Sequence, residues 1–304
     1  MDISRYLTHS KAIDFLSENL TKGYLNLFLG SGVSSSFGLP SWDVLINRMI
    51  LLAVDENLLP ASHDLIANTD STPDELQRLA ERLKQKIKNE DKLLEFLSRS
   101  LYEGIQVNNL HSIIQNKLLI SLGALLIGSK RGKVNQIMTL NYDNIIEWYL
   151  SLYGYISNSI YDLPKLEGNE DVRILHPHGY IPHPDLDNTI HKGIIFDFKS
   201  VNERLGKPGD IWNEKMRNFL RSGICLFVGL SYRSFKDFSL SPTFTLIGTE
   251  IKSLRPLGFW IICDPISQDE ENDFLDYRIV PIRLDKTNVP DFIFKICSEA
   301  SKKV

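Results

Sequence analysis

Small and polar residues directly after apolar runs give this sequence three candidate groups for binding a phosphorylated ligand and acting on it. They are Gly30-Ser31-Gly32, Asn141-Tyr142-Asp143 and His178-Gly179. Glycines allow a tight turn and a close approach of the backbone to a phosphate, and an imidazole can accept a proton near neutral pH. The order predicts a dinucleotide that is used as a substrate, because a redox cofactor would not need the later polar side chains.

The first two groups also have purely structural explanations. The third glycine of the dinucleotide-binding fingerprint is replaced by Ser35, so the glycine turn could exist without a ligand. Asn and Asp are preferred at helix starts, so Asp143 could simply cap the helix that follows. Asn141 directly follows an apolar strand, as the glycine turn does, and this similarity of position favours a role in binding.

The histidines divide into one functional and one structural candidate. His176 and His178 are two residues apart and would point to the same side of an extended chain. His178 precedes a glycine at a turn and is the better candidate for a general base, whereas His176 is expected to be satisfied structurally. His183 and His191 follow, but no carboxylate or cysteine lies at a ligand spacing, and we expect no metal site.

Two later strand ends carry further candidate ligands. Gly229-Leu230-Ser231 ends the most apolar run, and its glycine and hydroxyl could contact a ribose or a phosphate. Asp264 ends the next apolar run and could accept hydrogen bonds from ribose hydroxyls. Because Pro265 follows it, a simple turn is an adequate alternative explanation.

Apolar periodicity predicts strands that alternate with helices, which indicates an α/β protein with a Rossmann-like, doubly wound parallel sheet. The predicted strands are residues 24–29, 136–140, 172–175, 193–196, 224–229, 259–264 and 278–284. The predicted helices are residues 9–20, 42–54, 73–99, about 109–126, 145–149 and 212–220. We expect a single domain over residues 1–304, with a helical insertion at residues 44–128 between its first two strands. The carboxyl ends of the strands would bring the candidate groups to one edge of the sheet.

Composition narrows the class of protein. The chain has 304 residues, of which 43 % are hydrophobic, and a net charge of −4, which argues against a nucleic-acid surface. No apolar stretch approaches the ~20 residues that cross a bilayer, and no signal pattern opens the chain, so we expect a soluble, cytoplasmic protein. The chain has only three cysteines, which lie far apart, and their number excludes a four-cysteine zinc site.

Together the motifs resemble the sirtuin (SIR2-like) family. The similar segments are Gly30 to Ser34 with Gly38 to Trp42, Thr139 to Asp143, His178-Gly179 and Gly229-Leu230-Ser231. Sirtuin deacylases usually carry four zinc cysteines between the His-Gly and Gly-x-Ser motifs, and this interval has none before Cys225. They also usually have Asp-Phe-Arg where this chain has Ser41-Trp42-Asp43. In both respects the chain is similar to the SIR2-like domains of bacterial antiphage defence systems.

The resemblance implies NAD as the substrate and cleavage of its nicotinamide–ribose bond, without a metal. It implies that Asn141, Asp143 and His178 are catalytic. The implied NAD-binding residues are Gly30, Ser31, Gly32, Ser34, Trp42, Gly229, Ser231 and Asp264. Two alternatives stay open: an NAD-dependent protein deacylase or ADP-ribosyltransferase, and a non-catalytic NAD sensor. Because no sensor domain follows the predicted fold, we expect control by homo-oligomeric assembly or by a separately encoded defence partner.

Overall fold

The centre of the structure is a parallel β-sheet of seven strands, counted over the residues that are described. The structure is a computed structural model and describes residues 3–60, 71–105, 113–128, 132–164, 168–186, 193–237, 239–250 and 255–304. The strands are β1 (Leu25–Leu29), β2 (Gln136–Thr139), β3 (Ser157–Ile160), β4 (Val172–Leu175), β5 (Ile224–Val228), β6 (Gly258–Ile262) and β7 (Ile279–Arg283). Their order in the sheet is β3-β4-β2-β1-β5-β6-β7, and every neighbouring pair is parallel. The predicted α/β fold with a Rossmann-like sheet is therefore confirmed.

The strand order places a topological switch between β1 and β5. From β1 the chain builds the sheet outward through β2, and it later returns to pair β5 with the other side of β1. In register, Leu29 lies beside both Thr139 and Val228. The carboxyl ends of β1, β2 and β5 thus share one edge, where open α/β sheets bind ligands.

Helices cover both faces of the sheet. They are α1 (His9–Thr21), α2 (Trp42–Asp55), α3 (Pro73–Ile87), α4 (Glu90–Tyr102), α5 (Lys117–Leu126), α6 (Ile145–Ser151), α7 (Phe198–Val201), α8 (Ile211–Ser222), α9 (Tyr232–Lys236), α10 (Ser241–Glu250), α11 (Gln268–Asp276) and α12 (Val289–Lys302). Alternate side chains of each strand point to opposite faces, so Leu27 and Leu226 join one apolar cluster while Phe28 and Phe227 join the other. The first cluster includes α1, α5 and α12, and the second includes α8, α10 and α11.

The predicted helix over residues 73–99 is two helices. It begins as expected, with Thr72 and Glu75 forming a capping box and Pro73 in the first turn. Lys88 then adopts a left-handed conformation at φ 54°, and the Asn89 side chain accepts a hydrogen bond from the Lys92 N–H to start α4. A local cap therefore interrupts an amphipathic pattern that continues across the break.

The strand predicted at residues 193–196 is wrong. This segment bonds to loops, since the Ile195 N–H donates to the His178 carbonyl and the Tyr142 hydroxyl donates to the Ile195 carbonyl. The sequence analysis also missed β3, whose polar residues lie at the edge of the sheet, as well as helix α7 and helices α9 to α12. The beginning of the helix predicted at 109–126 lies outside the described residues, and α5 starts only at Lys117, where Asn116 caps it.

Within the described part of the chain, no single helix has the length and apolar character that would let it cross a membrane. Residues 31–37 and α2, which are bent by 62° relative to each other, satisfy the criteria of length and composition only as a pair.

Candidate functional site

A cavity of about 600 Å³ opens at the switch point between β1 and β5. Nine of the sequence-predicted site residues line it: Gly30, Ser31, Ser34, Trp42, Asn141, Asp143, His178, Ser231 and Asp264. Its volume lies within the range of small-molecule sites, roughly 300–1,000 Å³. The topology has therefore brought together residues that are more than 200 positions apart in the sequence.

The remaining two predicted residues, Gly32 and Gly229, do not line the cavity but shape the turns that do. A Cβ on Gly32 would lie 2.8 Å from the Gly229 Cα, and one on Gly229 would lie 2.7 Å from the Val33 nitrogen. Gly229 also has a φ of +75°, which side chains rarely tolerate. These glycines let the turns after β1 and β5 touch each other.

The backbone donors of the glycine turn are mostly used within the protein. The N–H groups of Gly30 and Gly32 donate to the carbonyls of Val228 and Gly229, each at 2.9 Å. Those of Val33 and Ser34 donate to carbonyls of the same turn. The close contact between the turns after β1 and β5 therefore explains why glycines occupy these positions. Side chains must supply most contacts to an anion.

Asn141 and Asp143 meet through the hydroxyl of Ser34. The Asn141 Nδ2 donates to the Gly30 carbonyl at 3.1 Å and to Ser34 Oγ at 3.2 Å. The Ser34 hydroxyl in turn donates to Asp143 Oδ1 at 2.9 Å. This buried chain fixes the amide of Asn141, and among the described residues its oxygen has no hydrogen-bond partner.

Asp143 both faces the cavity and bonds to the start of the helix that follows it. It lines the cavity, and its Oδ1 also accepts the Ile145 N–H at 3.1 Å at the start of α6. Burial raises the pKa of its carboxyl to about 6, although the hydrogen bonds from Ser34 and Ile145 oppose the shift. The carboxyl therefore changes charge within one unit of neutral pH.

The two histidines have different partners, so they do not act as a pair. His176 is fully buried, with Nδ1 at 3.1 Å from the Asn141 carbonyl and Nε2 at 2.7 Å from Glu147 Oε1. Ser159 donates to the same Glu147 oxygen at 2.9 Å. His176 thus supports the backbone of Asn141 from below the cavity, which agrees with the structural role expected for one histidine.

His178 lines the cavity and contacts a residue that the sequence analysis missed. Its Nε2 lies 2.9 Å from the hydroxyl of Ser239, which is 1 % exposed. The Ser239 N–H donates to Asp237 Oδ1 at 2.7 Å. Burial raises the pKa of Asp237. His178, Ser239 and Asp237 therefore form a hydrogen-bonded row along the cavity.

Burial lowers the pKa of His178 to about 4, and the charge of Arg204 lowers it in addition. A backbone hydrogen bond to Leu140 opposes this shift. The imidazole is consequently neutral at physiological pH, the form that can accept a proton. Its basicity is lower than that of an ordinary histidine.

The other predicted residues occupy the rim and one side of the cavity. Trp42 contacts Phe196 with ring centroids 5.2 Å apart, and Asp264 is exposed. The Ser231 hydroxyl accepts the Ser234 N–H at 3.3 Å and so caps α9. Arg233, two residues after Ser231, brings a positive charge to the lining.

The lining has two parts with different origins. We call Gly30, Ser31, Ser34, Asn141, Asp143 and His178 the sheet wall, because they follow β1, β2 and β4. We call Trp42, Gln77, Arg233, Asp237 and Ser239 the helix wall, because they lie on or next to α2, α3 and α9. Gln77, Asp237 and Ser239 were not predicted. Only the proximity of Asp237 to the Gly-x-Ser motif could have drawn attention to it.

Among the described residues, no group of three or more His, Cys, Asp or Glu side chains is arranged to hold a metal ion.

The sequence matches no known family model and no curated protein.

Proposed function

We propose that the chain binds NAD in this cavity and hydrolyses the bond between nicotinamide and ribose. The observation that carries the proposal is the convergence of Asn141, Asp143 and His178 with the glycine turn at one cavity. The reaction consumes one water and gives nicotinamide, ADP-ribose and a proton. Nicotinamide leaves, and its ring nitrogen keeps the electron pair of the cleaved bond. The water oxygen becomes bonded to the ribose carbon.

Asn141 would orient the attacking group in this reaction. Its Nδ2 is committed to Gly30 and Ser34, so its Oδ1 is the atom that can accept a hydrogen bond from water or a ribose hydroxyl. Asp143, acting through Ser34, would keep the amide in this orientation. An oriented nucleophile lowers the barrier because its freedom of motion is already lost before the reaction.

His178 would accept the proton of the attacking group, because its imidazole is neutral. Ser239 occupies the hydrogen-bonding position at Nε2 at 2.9 Å, so the substrate either displaces this hydroxyl or uses it as a relay. General-base assistance contributes roughly 10²–10⁴-fold to a rate. We therefore expect removal of the imidazole to abolish most of the turnover.

A second candidate function is an NAD sensor that binds without cleaving. The low pKa of His178, about 4, favours it, because a general base works best when its pKa lies near the working pH. In this case His178 would only donate or accept hydrogen bonds to the bound ligand.

The deciding experiment compares NAD consumption and nicotinamide release for the wild type, Asn141→Ala and His178→Ala. Exposed residues of the same types supply matched controls, Asn272→Ala and His9→Ala. We expect activity in the wild type and in both controls, and a loss of roughly 10²-fold or more in both site variants.

Other outcomes assign the cavity differently. NAD binding without turnover would support the sensor, and nicotinamide formed only with an acylated peptide would support a deacylase. A wild-type protein that neither binds nor cleaves NAD would contradict NAD as the ligand.

We further propose that the activity depletes cytoplasmic NAD in antiphage defence and is controlled by self-assembly or a partner protein. The support is the resemblance of the motifs to defence-associated SIR2-like domains. Activity per molecule that rises with protein concentration, together with a larger species in light scattering, is expected. Full activity of a stable monomer would contradict control by assembly.

A further inference from the structure

A buried pair of ionisable side chains, Glu147 and His176, lies beneath Asn141 and has no part in the reaction proposed above. His176 is 0 % exposed and Glu147 is 7 % exposed. The His176 Nε2 and the Glu147 Oε1 are 2.7 Å apart. Replacing a buried ion pair by apolar side chains is often neutral or stabilising. Stability alone therefore does not account for this pair.

Side chains hold both polar backbone groups of Asn141. In the part of the chain that is described, the backbone bonds from β2 to β1 end at the Leu140 N–H, which donates to the Leu29 carbonyl. The Asn141 N–H donates to the Thr139 hydroxyl at 3.1 Å, and the Asn141 carbonyl oxygen lies 3.1 Å from the His176 Nδ1. Thr139 and His176 thus fix the Asn141 backbone where the sheet no longer does.

The contact with Asn141 requires a proton on the His176 Nδ1, because a carbonyl oxygen can only accept hydrogen bonds. On the other side of the ring, one further proton lies between Nε2 and the Glu147 Oε1, whichever of the two atoms holds it. The partner of one ring nitrogen determines the protonation and orientation of the other. Glu147 therefore turns the ring so that its Nδ1–H points to Asn141.

Glu147 is itself held in place. Ser159, in the edge strand β3, donates to the same Oε1 at 2.9 Å. Glu147 also lies in α6, four residues after Asp143. A hydrogen-bonded chain thus runs from the edge of the sheet to the backbone of Asn141.

The position of this backbone sets where the Asn141 amide lies. The amide nitrogen donates to Gly30 and Ser34 at 3.1 and 3.2 Å, which leaves the Oδ1 for the attacking group of the proposed reaction. Displacing a positioning group by about 1 Å can cost roughly 10²-fold in rate.

We propose that His176 is a positioning residue whose Nδ1–H, oriented by Glu147, holds the Asn141 backbone so that its amide can orient the attacking water or ribose hydroxyl. The inference rests on the proposed function and adds two residues to it. Neither of them lines the cavity, so neither contacts the ligand directly.

The test replaces His176 by two amides that each keep one half of its contacts. His176→Asn places an N–H near the position of Nδ1, whereas His176→Gln reaches toward Glu147 and removes the donor to Asn141. The measurements are kcat and KM for nicotinamide release from NAD. We expect His176→Gln to lose roughly 10²-fold in kcat with KM changed by less than about threefold, and His176→Asn to keep kcat within about tenfold of wild type.

His183 supplies the matched control, because it is also buried, at 6 % exposure, and its Nδ1 accepts the Asp185 N–H. His183→Asn and His183→Gln should keep the kcat of the wild type. A purely structural role of His176 would lower the melting temperature of both His176 variants and leave kcat per folded molecule unchanged or equally reduced. Either result for kcat would overturn the inference.

Thermal melting shows whether the variants fold. If the unpaired carboxylate of Glu147 keeps His176→Asn from folding, Glu147→Met combined with His176→Asn replaces it. The double variant removes that carboxylate and is held to the same expectation for kcat.

Nitrogen NMR of the histidine rings tests the inference without NAD. The signals of His176 are those lost in His176→Gln, and we expect a proton on Nδ1 in the wild type at neutral pH. An unprotonated Nδ1, or a His176→Gln variant that cleaves NAD like the wild type, would overturn the inference and leave the proposed function intact. Wild-type protein that cleaves no NAD would overturn the proposed function and this inference with it.

Discussion

The sheet wall and the helix wall of the cavity differ in how their polar groups are satisfied. On the sheet wall, Asn141, Ser34 and Asp143 bond to one another and to the backbone, with His176 supporting them from below. On the helix wall, Gln77 keeps an unpaired oxygen. The hydrogen bonds of the sheet wall thus tie it to the stability of the fold and leave the Asn141 Oδ1 without a partner among the described residues. The helix wall instead contains a buried polar atom that is unsatisfied.

This difference predicts that substitutions in the two walls affect different properties of the protein. Changes in the sheet wall or in the turns beneath it should alter the free energy of unfolding as much as activity. Changes in the helix wall should alter ligand binding or turnover and leave the fold nearly as stable as before.

The largest effect is expected for Gly229→Ala, in the turn beneath the sheet wall. A Cβ there would meet the Val33 nitrogen at 2.7 Å, and the backbone has a φ of +75°. Strain and overpacking should together destabilise the protein by about 3–5 kcal/mol in urea denaturation. Gly154→Ala is the control, since Gly154 has a φ of +76° but nothing within 4 Å, and it should lose only about 1–2 kcal/mol. Equal losses would show that the contact between the turns is unimportant.

Asp143→Asn should stabilise the protein above pH 6. The pKa of Asp143 is raised from 3.8 unfolded to about 6 folded, so the stabilising contribution of the protonated form is complete below pH 4 and lost as the pH rises through 6. An amide never ionises, and the variant should gain about 1–3 kcal/mol over the wild type at pH 8 and almost nothing at pH 4. Urea denaturation at both pH values measures this difference.

The same variant should change the pH profile of NAD cleavage. If the carboxylate orients Asn141 through Ser34, turnover should rise through about pH 6 in the wild type, and this step should be absent in Asp143→Asn. Glu147 and His176 also act on the charge of Asp143, in opposite directions. A step that persists in Asp143→Asn would assign it to another group.

Ser239→Ala tests the helix wall. Removing the hydroxyl 2.9 Å from His178 Nε2 should lower turnover by about tenfold, because the imidazole loses a partner that holds or relays the proton. The free energy of unfolding should change by less than about 1.5 kcal/mol. A larger loss of stability with unchanged turnover would place Ser239 with the sheet wall and end the distinction between the two.

The smallest effect is expected for Arg233→Gln. Arg233 is exposed at the cavity, so its attraction to a diphosphate is weakened by solvent and salt. We expect about threefold weaker binding of ADP-ribose at low salt, and a difference from wild type that disappears near 1 M salt. A difference that is independent of salt would indicate a direct, desolvated contact.

The sheet wall could be predicted from the sequence because strand ends have fixed positions in a parallel sheet. Once residues 24–29 and 136–140 are identified as buried strands, Gly30 and Asn141 must follow them at the same edge. The same argument places His178 at this edge, because it follows the predicted strand at residues 172–175. The confirmed fold class and the cavity-lining positions of these residues both derive from this geometry.

The helix wall could not be predicted, because the rotation of a helix and its position over the sheet depend on tertiary packing. Gln77 belongs to a charged amphipathic pattern in which nothing distinguishes it from Gln85. Ser239 lies in a turn between two short helices that the periodicity did not reveal. The false strand at 193–196 has the same cause, since its backbone bonds to loop residues and not to a neighbouring strand.

The internal use of the glycine-turn amides has a consequence for the evolution of ligand choice. Backbone amides bind a phosphate whatever side chains surround them, so a site made of amides changes only when the backbone conformation of the turn changes. Here Gly30 and Gly32 direct their amides to the end of β5 and the turn after it, so the side chains of Ser31, Ser231 and Arg233 are left to recognise an anion. If the cavity binds the anion proposed above, replaceable side chains therefore determine that preference. Single substitutions could then redirect it without disturbing the junction that holds the two halves of the sheet together.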